Sequence, residues 1–230
     1  MSTGALADAT IVFDLDGTLV DSAPDLVRAL NETLDLEGLP RVDVERVRRL
    51  IGNGARVLIE RASAAAGAHF SPERLDQLTK AFIDFYRADI AGQTAPFPGL
   101  ESALDALTAE GARLSVCTNK RTDLSLQVLD ALGLTLRFAA IVGADGVPHK
   151  KPHPDHYRAA VERAGGTVAR SLMIGDTSTD VAAARGAGAP VALVRFGYSD
   201  DEIEKLGADA ILDRYAELPL ICGQLLAARP

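Results

Sequence analysis

The sequence predicts an α/β fold, in which a doubly wound parallel sheet carries an inserted set of helices. Short apolar runs without polar alternation recur along the chain, and such runs are typical of strands buried on both faces of a parallel sheet. Helical patterns separate these runs. About 100 residues lie between the first run and the second, far more than one crossover helix requires.

Six runs are predicted to be strands because they are short, apolar and rich in β-branched residues. They cover residues 11–13, 114–117, 140–142, 172–174, 191–194 and, more weakly, 210–212. The segments between the later runs repeat apolar residues at helical spacing. Leu100, Leu104 and Leu107, for example, share one helical face and precede Gly111, a favourable residue just after a helix.

The long insert is predicted to be helical over about 70 residues. Ser22 is a candidate helix cap, Pro24 suits the first turn, and Leu26 and Leu30 then lie on one face. The stretch Pro96-Phe-Pro-Gly99 is predicted to return the chain to the sheet. The predicted domains are therefore a core, residues 1–21 and 93–230, and a helical cap, residues 22–92.

The composition limits the classes of function. The chain has 230 residues, 47% of them hydrophobic, enough for a large core with or without a smaller unit. The net charge of −8 disfavours nucleic acid and anionic membranes as partners, although a bound cation would still admit an anionic substrate. Two cysteines cannot build a disulfide framework, and no apolar run approaches the ~20 residues of a membrane span. Without the pattern of a secretory signal, we expect a cytoplasmic globular protein.

Polar side chains follow the first four predicted strands, at the point where each strand ends. In open parallel sheets, ligands bind beyond the carboxyl ends of the strands, so these side chains are expected at one edge. Each type alone is commonly a turn residue, a helix cap or a solvated lysine, but the whole set indicates a binding site. The set comprises Asp14, Asp16, Thr118, Lys150, Lys151, Asp176 and Asp180.

Such a set suits a phosphate group held against a hard cation. Asp14 and Asp176 can ligate Mg²⁺, which prefers oxygen ligands, and a cation there would offset the repulsion between Asp14 and Asp16. A free oxygen of Asp14 can attack phosphorus, while Asp16 protonates the leaving oxygen and then activates water. Thr118 and a lysine can bind the phosphoryl oxygens.

These residues resemble the four motifs of the haloacid dehalogenase (HAD) superfamily, in the family's order and over nearly the whole chain. The resemblance implies a Rossmann-like core with a helical cap inserted after the first strand. The matching stretches are Asp14-Leu-Asp-Gly-Thr-Leu-Val20, Thr118-Asn119, Lys151-Pro-His-Pro154 and Gly175-Asp176-Thr-Ser-Thr-Asp180.

The resemblance also implies a role for each motif residue. Asp14 is expected to be the nucleophile and a Mg²⁺ ligand, and Asp16 the general acid and base that ligates Mg²⁺ through its backbone carbonyl. Thr118 is expected to bind phosphate. Lys151 is expected to bridge nucleophile and phosphate, and motif register alone selects it over Lys150. The remaining expectations are Asp176 as a metal ligand, Asp180 as its support, and Gly17, Thr18 and Asn119 as substrate contacts.

Several further stretches, one of which includes the third motif, are most similar to the bacterial phosphoglycolate phosphatase family. The cap loop of Gly52, Asn53 and Gly54 is expected to approach the substrate closely, and Arg56 to pair with a substrate carboxylate. A plain turn with a surface arginine is the alternative. The fourth motif departs from that family, with Ser178-Thr179 where an Arg-Asn pair is more usual. The similar stretches are Ile51-Gly-Asn-Gly-Ala55, Arg61-Ala62, Pro96-Phe-Pro-Gly99 and Val147-Pro-His-Lys-Lys-Pro-His-Pro154.

The predicted function is a Mg²⁺-dependent phosphatase for a small anionic phosphomonoester, 2-phosphoglycolate, acting through an aspartyl-phosphate. Dehalogenases of the superfamily lack an acid at the position of Asp16 and need no metal, so Asp16 favours phosphoryl chemistry. The alternative functions are a sugar-phosphate phosphatase, a pyrophosphatase or a phosphomutase of the same cap type. A more remote alternative is a non-catalytic regulator that binds phosphate. No nucleic acid or membrane partner is expected, and the chain is expected to be a monomer or a homodimer.

Overall fold

The computed structural model of the chain describes residues 6–199 and 202–228. Within these residues, six strands form one parallel sheet and two short strands form a separate antiparallel ladder. The strands are β1 (Thr10–Phe13), β2 (Val20–Asp21), β3 (Ala95–Pro96), β4 (Arg113–Cys117), β5 (Ala140–Val142), β6 (Ser171–Gly175), β7 (Val191–Val194) and β8 (Ala210–Leu212). The six predicted strands and the α/β fold class are confirmed.

The order of strands across the large sheet is β5-β4-β1-β6-β7-β8. The chain therefore adds strands on one side of β1 first and on the other side later. A sheet built in this way has its binding crevice at the carboxyl end of the strand where the order reverses. That strand is β1, which ends immediately before Asp14.

Alternate residues of β1 pack on opposite faces of the sheet. Ile11 and Phe13 belong to one hydrophobic cluster and Val12 to another, and all three are buried. Leu15 joins the cluster that contains Ile11 and Phe13. Apolar side chains thus cover both faces of the sheet, as the lack of polar alternation predicted.

The helices of the described residues cover the sheet and form the insert. Those between β2 and β3 are α1 (Ala23–Asp35), α2 (Val44–Arg48), α3 (Ala55–Ala65) and α4 (Pro72–Ala88). The others are α5 (Leu100–Ala109), α6 (Thr122–Ala131), α7 (Pro154–Arg163), α8 (Ser178–Ala187) and α9 (Leu218–Ala227). None of the helices in the described ranges is long and apolar enough to span a bilayer.

The insert enters and leaves the core through the antiparallel ladder, in which Val20 pairs with Pro96 and Asp21 with Ala95. Within the insert, α1 packs against α2 and α4, and α3 packs against α4. The predicted cap, residues 22–92, contains all four of these helices. Its division from the core at residues 21 and 93 stays a prediction.

The start of α1 differs from the expected cap. Ser22 precedes the helix and Pro24 lies in its first turn, as predicted, but the Ser22 hydroxyl makes no hydrogen bond to the helix. It donates instead to Asp16 Oδ1 at 2.6 Å. A side chain expected to stabilise a helix end therefore positions a site carboxylate.

Asp25, buried in the first turn of α1, joins the two connections between core and insert. Its carboxylate accepts hydrogen bonds from the backbone N–H of Gln93 at 3.0 Å and from the N–H and hydroxyl of Thr94 at 2.8 and 2.6 Å. These donors lie just before β3, whereas Asp25 lies just after β2. One carboxylate thus fixes the outgoing chain against the returning chain.

Replacing Asp25 by Ala should lower the free energy of unfolding by about 3 kcal/mol. Two backbone N–H groups and a hydroxyl would lose their acceptor, and a hydrogen bond to a charged group is worth about 1.5–3 kcal/mol. Urea unfolding followed by circular dichroism measures the change. Asp35→Ala, at the other end of α1, is the control, because Asp35 pairs with Arg41 at 2.6 Å in solvent and its loss should cost much less. Equal losses in the two variants would contradict the role of Asp25.

Candidate active site

The central strand and its neighbours bring three predicted site residues to one edge of the sheet. Asp14 follows β1, Thr118 follows β4 and Asp176 follows β6, and β1 lies between β4 and β6. The Asp14 N–H still donates to Ile174 O on β6 at 2.9 Å, so the sheet pairing holds the nucleophile candidate in place. All three side chains are buried. Their proximity follows from the parallel register of the strands.

Lys151 reaches Asp14 from the loop that follows β5. Its ammonium lies 2.9 Å from Asp14 Oδ1 and 2.7 Å from Asp180 Oδ1, and the side chain is fully buried. Lys150 points elsewhere and donates to the backbone oxygen of Asn53 at 2.7 Å. The structure therefore places Lys151, and not its neighbour, beside the predicted nucleophile.

His156 supports Lys151 from the first turns of α7, and the sequence motifs gave no sign of it. The Lys151 N–H donates to His156 Nδ1 at 3.1 Å, and His156 Nε2 lies 3.0 Å from Val142 O at the end of β5. Burial and the nearby Lys151 lower the pKa of His156 to about 4, so the imidazole stays neutral. A neutral ring that accepts at Nδ1 and donates at Nε2 fixes the loop to the strand.

Three buried carboxylates lie close together, and Lys151 pairs with two of them. Asp14, Asp176 and Asp180 each present an oxygen atom within 4.8 Å of the others. Burial raises the pKa of Asp14 to about 6, against the attraction of Lys151, and Asp180 adds to the rise. Burial, with Asp180 and Asp14, also raises the pKa of Asp176 well above its ordinary value. One ammonium does not balance this charge, and an all-oxygen cluster of this kind fits a hard divalent cation.

The hydrogen bonds of Asp180 distinguish it from the other two acids. Its Oδ1 pairs with Lys151, and its Oδ2 accepts from the N–H of Asp176, the N–H of Thr177 and the Thr177 hydroxyl at 3.2, 3.1 and 2.8 Å. These donors occupy the carboxylate. Asp180 therefore holds Lys151 and the start of α8, which matches its expected supporting position.

Gly17 and Thr18 lie against Asp176 and are not among the residues that line the cleft. The Thr18 hydroxyl donates to Asp176 Oδ1 at 2.8 Å, and the Tyr198 N–H donates to Oδ2 at 2.7 Å. A Cβ on Gly17 would come within 2.4 Å of Asp176 Oδ2, and the residue has a φ of +84°. Both residues therefore lie against the Asp176 carboxylate, and their expected contact with substrate stays a prediction.

Asp16 has its own cation, Lys120, which the sequence analysis did not include among the site residues. The Lys120 ammonium lies 2.8 and 2.9 Å from the two oxygens of Asp16, and Ser22 donates to the same carboxylate. The structure pairs each of the two acids with a different lysine, and the bound cation expected to offset their repulsion stays a prediction. The one sequence feature that pointed to Lys120 is its position directly after the second motif, Thr118-Asn119.

A cleft opens between the strand ends and the helices of the insert. Asp14, Asp16, Thr118, Asn119 and Lys120 line its polar side. The two carboxylates expected to attack and to transfer protons therefore face one space. Thr118 presents a hydroxyl beside them, in a position suited to a phosphoryl oxygen.

The predicted cap loop lies over this polar side. Asn119 Nδ2 donates to Gly52 O at 2.9 Å and to Lys151 O at 3.0 Å, so one amide connects the cap loop with the lysine loop. Gly52 and Gly54 line the cleft and have positive φ values of 114° and 91°. Asn53 meets the core through the Lys150 contact and is not a lining residue.

Arg56, which was expected to pair with a substrate carboxylate, has partners within the cap. Its guanidinium pairs with the Asp76 carboxylate on α4 and contacts Pro72 O at 3.4 Å. It does not line the cleft. In this arrangement Arg56 connects α3 with α4, and its pairing with a substrate carboxylate stays a prediction.

Comparison with known proteins agrees with this geometry. Residues 11–194 match the family model of haloacid dehalogenase-like hydrolases, which is more than half of the chain. The chain belongs to that family. A phosphoglycolate phosphatase from Caulobacter vibrioides is 49% identical over 98% of this chain and 95% of its own length, and one from Agrobacterium fabrum is 44% identical over 90% and 89%.

Solved structures show the same fold. A predicted phosphoglycolate phosphatase from Haemophilus somnus superimposes with a TM-score of 0.87 at 32% identity, covering 94% of this chain and 98% of that one. CbbY from Rhodobacter sphaeroides, solved with phosphate, gives 0.78 at 28% identity, covering 91% and 96%. As a HAD-like hydrolase with these relatives, the chain is a phosphoric monoester hydrolase that acts on small phosphate esters.

Replacing Lys151 by Met should lower the free energy of unfolding by about 3–5 kcal/mol without added metal, because Asp14 and Asp180 would lose their shared buried cation. Hydrolysis of phosphate esters should fall at least about a hundredfold, as expected for loss of a charge-stabilising donor. Lys150→Met is the matched control and should change stability by no more than about 0.5 kcal/mol. Chemical unfolding and steady-state kinetics give both values. Similar losses in the two variants would be inconsistent with the buried ion pair.

Proposed function

We propose that this HAD-like hydrolase is a Mg²⁺-dependent phosphatase that converts 2-phosphoglycolate into glycolate and phosphate through an aspartyl-phosphate on Asp14. The observation that carries the proposal is the pair of acids in one cleft, Asp14 beside Lys151 and Asp16 beside Lys120. Two acids with separate cations can perform two different tasks, nucleophilic attack and proton transfer. The names of the relatives from Caulobacter and Agrobacterium support the substrate.

In the first step, an oxygen of Asp14 attacks phosphorus and the bond from phosphorus to the ester oxygen breaks. Asp14 Oδ1 is held by Lys151 at 2.9 Å and accepts from the Leu15 N–H at 2.7 Å, which directs the carboxylate towards the cleft. Asp16 gives its proton to the departing ester oxygen, which becomes the neutral hydroxyl group of glycolate. Thr118 and Lys151 hold the phosphoryl oxygens while the charge moves.

In the second step, water attacks phosphorus of the aspartyl-phosphate and the bond to Asp14 breaks. Asp16, now without its proton, accepts one from the attacking water and returns to its starting form. Phosphate leaves and the Asp14 carboxylate is regenerated. The Lys120 ammonium and the Ser22 hydroxyl keep Asp16 in place through both steps.

Asp14 and Asp176 would hold Mg²⁺ through carboxylate oxygens, and Asp16 through its backbone carbonyl. Asp180 would support the ion indirectly, because donors already occupy its oxygens. When bound, Mg²⁺ offsets the negative charge of the phosphoryl group and the surrounding carboxylates. The raised pKa values of Asp14 and Asp176 support a site that favours a cation.

The cap side of the cleft favours a small substrate. Leu26, Leu58, Phe82 and Ile83 line it with apolar side chains. A sugar phosphate would place several hydroxyl groups against this surface without hydrogen-bond partners, at a cost of about 1–3 kcal/mol each. The sugar-phosphate alternative nevertheless has one supporting observation, since a CbbY structure at 28% identity contains xylulose-1,5-bisphosphate. The monomer or homodimer state and the cytoplasmic location stay predictions.

With Mg²⁺ present, kcat/KM for 2-phosphoglycolate should exceed that for glucose 6-phosphate, xylulose 1,5-bisphosphate or pyrophosphate by at least about tenfold each. The additional polar groups of these three substrates would lack hydrogen-bond partners on the apolar side of the cleft, which lowers kcat/KM. A phosphate-release assay measures all four. The Asp14→Asn protein is the control and should lose turnover of every ester. Preference for a sugar phosphate or pyrophosphate would overturn the substrate, and normal turnover by Asp14→Asn would overturn the mechanism.

Stabilisation by Mg²⁺ should increase with pH. In the metal-free protein, the pKa of Asp14 is about 6 and that of Asp176 is also raised, both above their values in the unfolded chain. The contribution of Asp14 to stability is therefore present below about pH 4 and lost as the pH rises through about 6, and the raised pKa of Asp176 acts in the same direction. Mg²⁺ binds the deprotonated groups, so it should raise Tm more at pH 8 than at pH 5. Thermal unfolding at both pH values is the measurement, and a larger increase at pH 5 would contradict this site.

A further inference from the structure

One polar side chain interrupts the apolar cap side of the cleft. Tyr86, near the end of α4, lines the cleft and is the one cap residue among the described lining residues with a polar side chain. The residue is fully buried, and its O–H group has no acceptor in the described part of the chain, because the nearby Lys120 ammonium can only donate to the phenol oxygen. Buried hydroxyls are almost always paired, so a ligand in the cleft is the missing partner that this position implies.

The Tyr86 hydroxyl is a donor at physiological pH. Burial raises the pKa of Tyr86 to about 12, against the attraction of Lys120, so the phenol keeps its proton. The other unpartnered polar atom that lines the cleft is Asn119 Oδ1, which is an acceptor because its amide nitrogen donates to Gly52 O and Lys151 O. A ligand group that accepts hydrogen bonds therefore fits Tyr86 and not Asn119 Oδ1.

A positive charge lies directly beside this hydroxyl. The Lys120 ammonium is 4.6 Å from the centre of the Tyr86 ring and contacts both oxygens of Asp16. Burial works to lower the pKa of Lys120, but Asp16 outweighs burial and the net shift is upward. Lys120 thus stays charged between the predicted acid and the cap.

Other cations offer less to a ligand at this position. Arg56 pairs with Asp76 outside the cleft, and Lys150 donates to Asn53 O. Arg121 lines the cleft but pairs with Asp123 at 3.0 Å and lies 3.7 Å from Asp145. Lys120 is the buried cation on the side of the cleft where Asp16 would protonate the leaving oxygen.

We infer that Tyr86 and Lys120 form the subsite for the carboxylate of the substrate, an inference that rests on the proposed function. The Tyr86 hydroxyl donates a hydrogen bond to one carboxylate oxygen, and the Lys120 ammonium supplies the opposite charge. The covalent structure of the substrate supports the position. In 2-phosphoglycolate a single methylene separates the ester oxygen from the carboxylate, so an ester oxygen at Asp16 puts the carboxylate beside the lysine that holds Asp16.

The test compares two esters of equal carbon number, 2-phosphoglycolate and ethyl phosphate, which lacks the carboxylate. The ratio of their kcat/KM values, measured with Mg²⁺, reports recognition of the carboxylate. Tyr86→Phe removes one hydroxyl and keeps the ring beside Lys120. This ratio should fall by about tenfold to a hundredfold in the variant, the effect expected of a lost hydrogen bond to a charged group.

Tyr157→Phe is the matched control, because Tyr157 does not line the cleft and its buried hydroxyl donates to Ser171 at 2.7 Å. It should lower Tm and leave the ratio unchanged, whereas Tyr86→Phe should lower Tm much less, because the Tyr86 O–H donates to no acceptor in the described residues. A Tyr86→Phe protein that unfolds or loses Tm as Tyr157→Phe does would show a structural role for the hydroxyl and overturn the inference.

The two proposals fail in different ways. If the wild-type protein hydrolyses other esters but does not prefer 2-phosphoglycolate to ethyl phosphate, both the proposed substrate and the carboxylate subsite are overturned. If the wild type prefers 2-phosphoglycolate and Tyr86→Phe keeps that preference, the substrate stands and the subsite alone is overturned.

Discussion

The structure of the site depends on one buried ammonium group, that of Lys151, which lies between the carboxylates of Asp14 and Asp180. Buried charges are costly unless they are paired, so the three side chains constrain one another. The constraint extends outwards, because His156 holds the Lys151 backbone and Asp180 holds the start of α8. Three loops after three strands are thereby fixed relative to the predicted nucleophile.

A second ion pair separates the two acids of the first motif. Lys120 pairs with Asp16, while Lys151 pairs with Asp14 and Asp180, so the two carboxylates on either side of Leu15 can both face the cleft. Leu15 between them packs into the core, which keeps the acids on the cleft side. The proposed division into an attacking acid and a proton-transferring acid follows from these different surroundings. The apolar cap then closes the space opposite them and leaves Tyr86 as its polar contact.

The sequence predicts the features that follow from local patterns and strand topology. Asp14, Thr118 and Asp176 were expected together because each follows a strand of one parallel sheet, and the strand order confirms this. Contacts between distant residues were not predictable in the same way. Lys120 contacts Asp16 although the two residues are 104 positions apart in the sequence. The O–H of Tyr86 lacks an acceptor because of the way α4 packs over the core. Arg56 was assigned from its charge and position in a loop, but the nearby Asp76 engages its guanidinium.

The central claim is that Asp14 carries the phosphoryl group during turnover. The most direct measurement is to mix the Asp16→Asn protein with Mg²⁺ and 4-nitrophenyl phosphate, quench rapidly in acid and map the modified peptide by mass spectrometry. This ester needs no protonation of its leaving group, so the first step should proceed while water activation is slow. If Asp14 is the nucleophile, the reaction should show a burst of one nitrophenolate per protein and leave a phosphoryl group on Asp14. A burst-free reaction without phosphorylated protein, or a phosphoryl group on another residue, would contradict it.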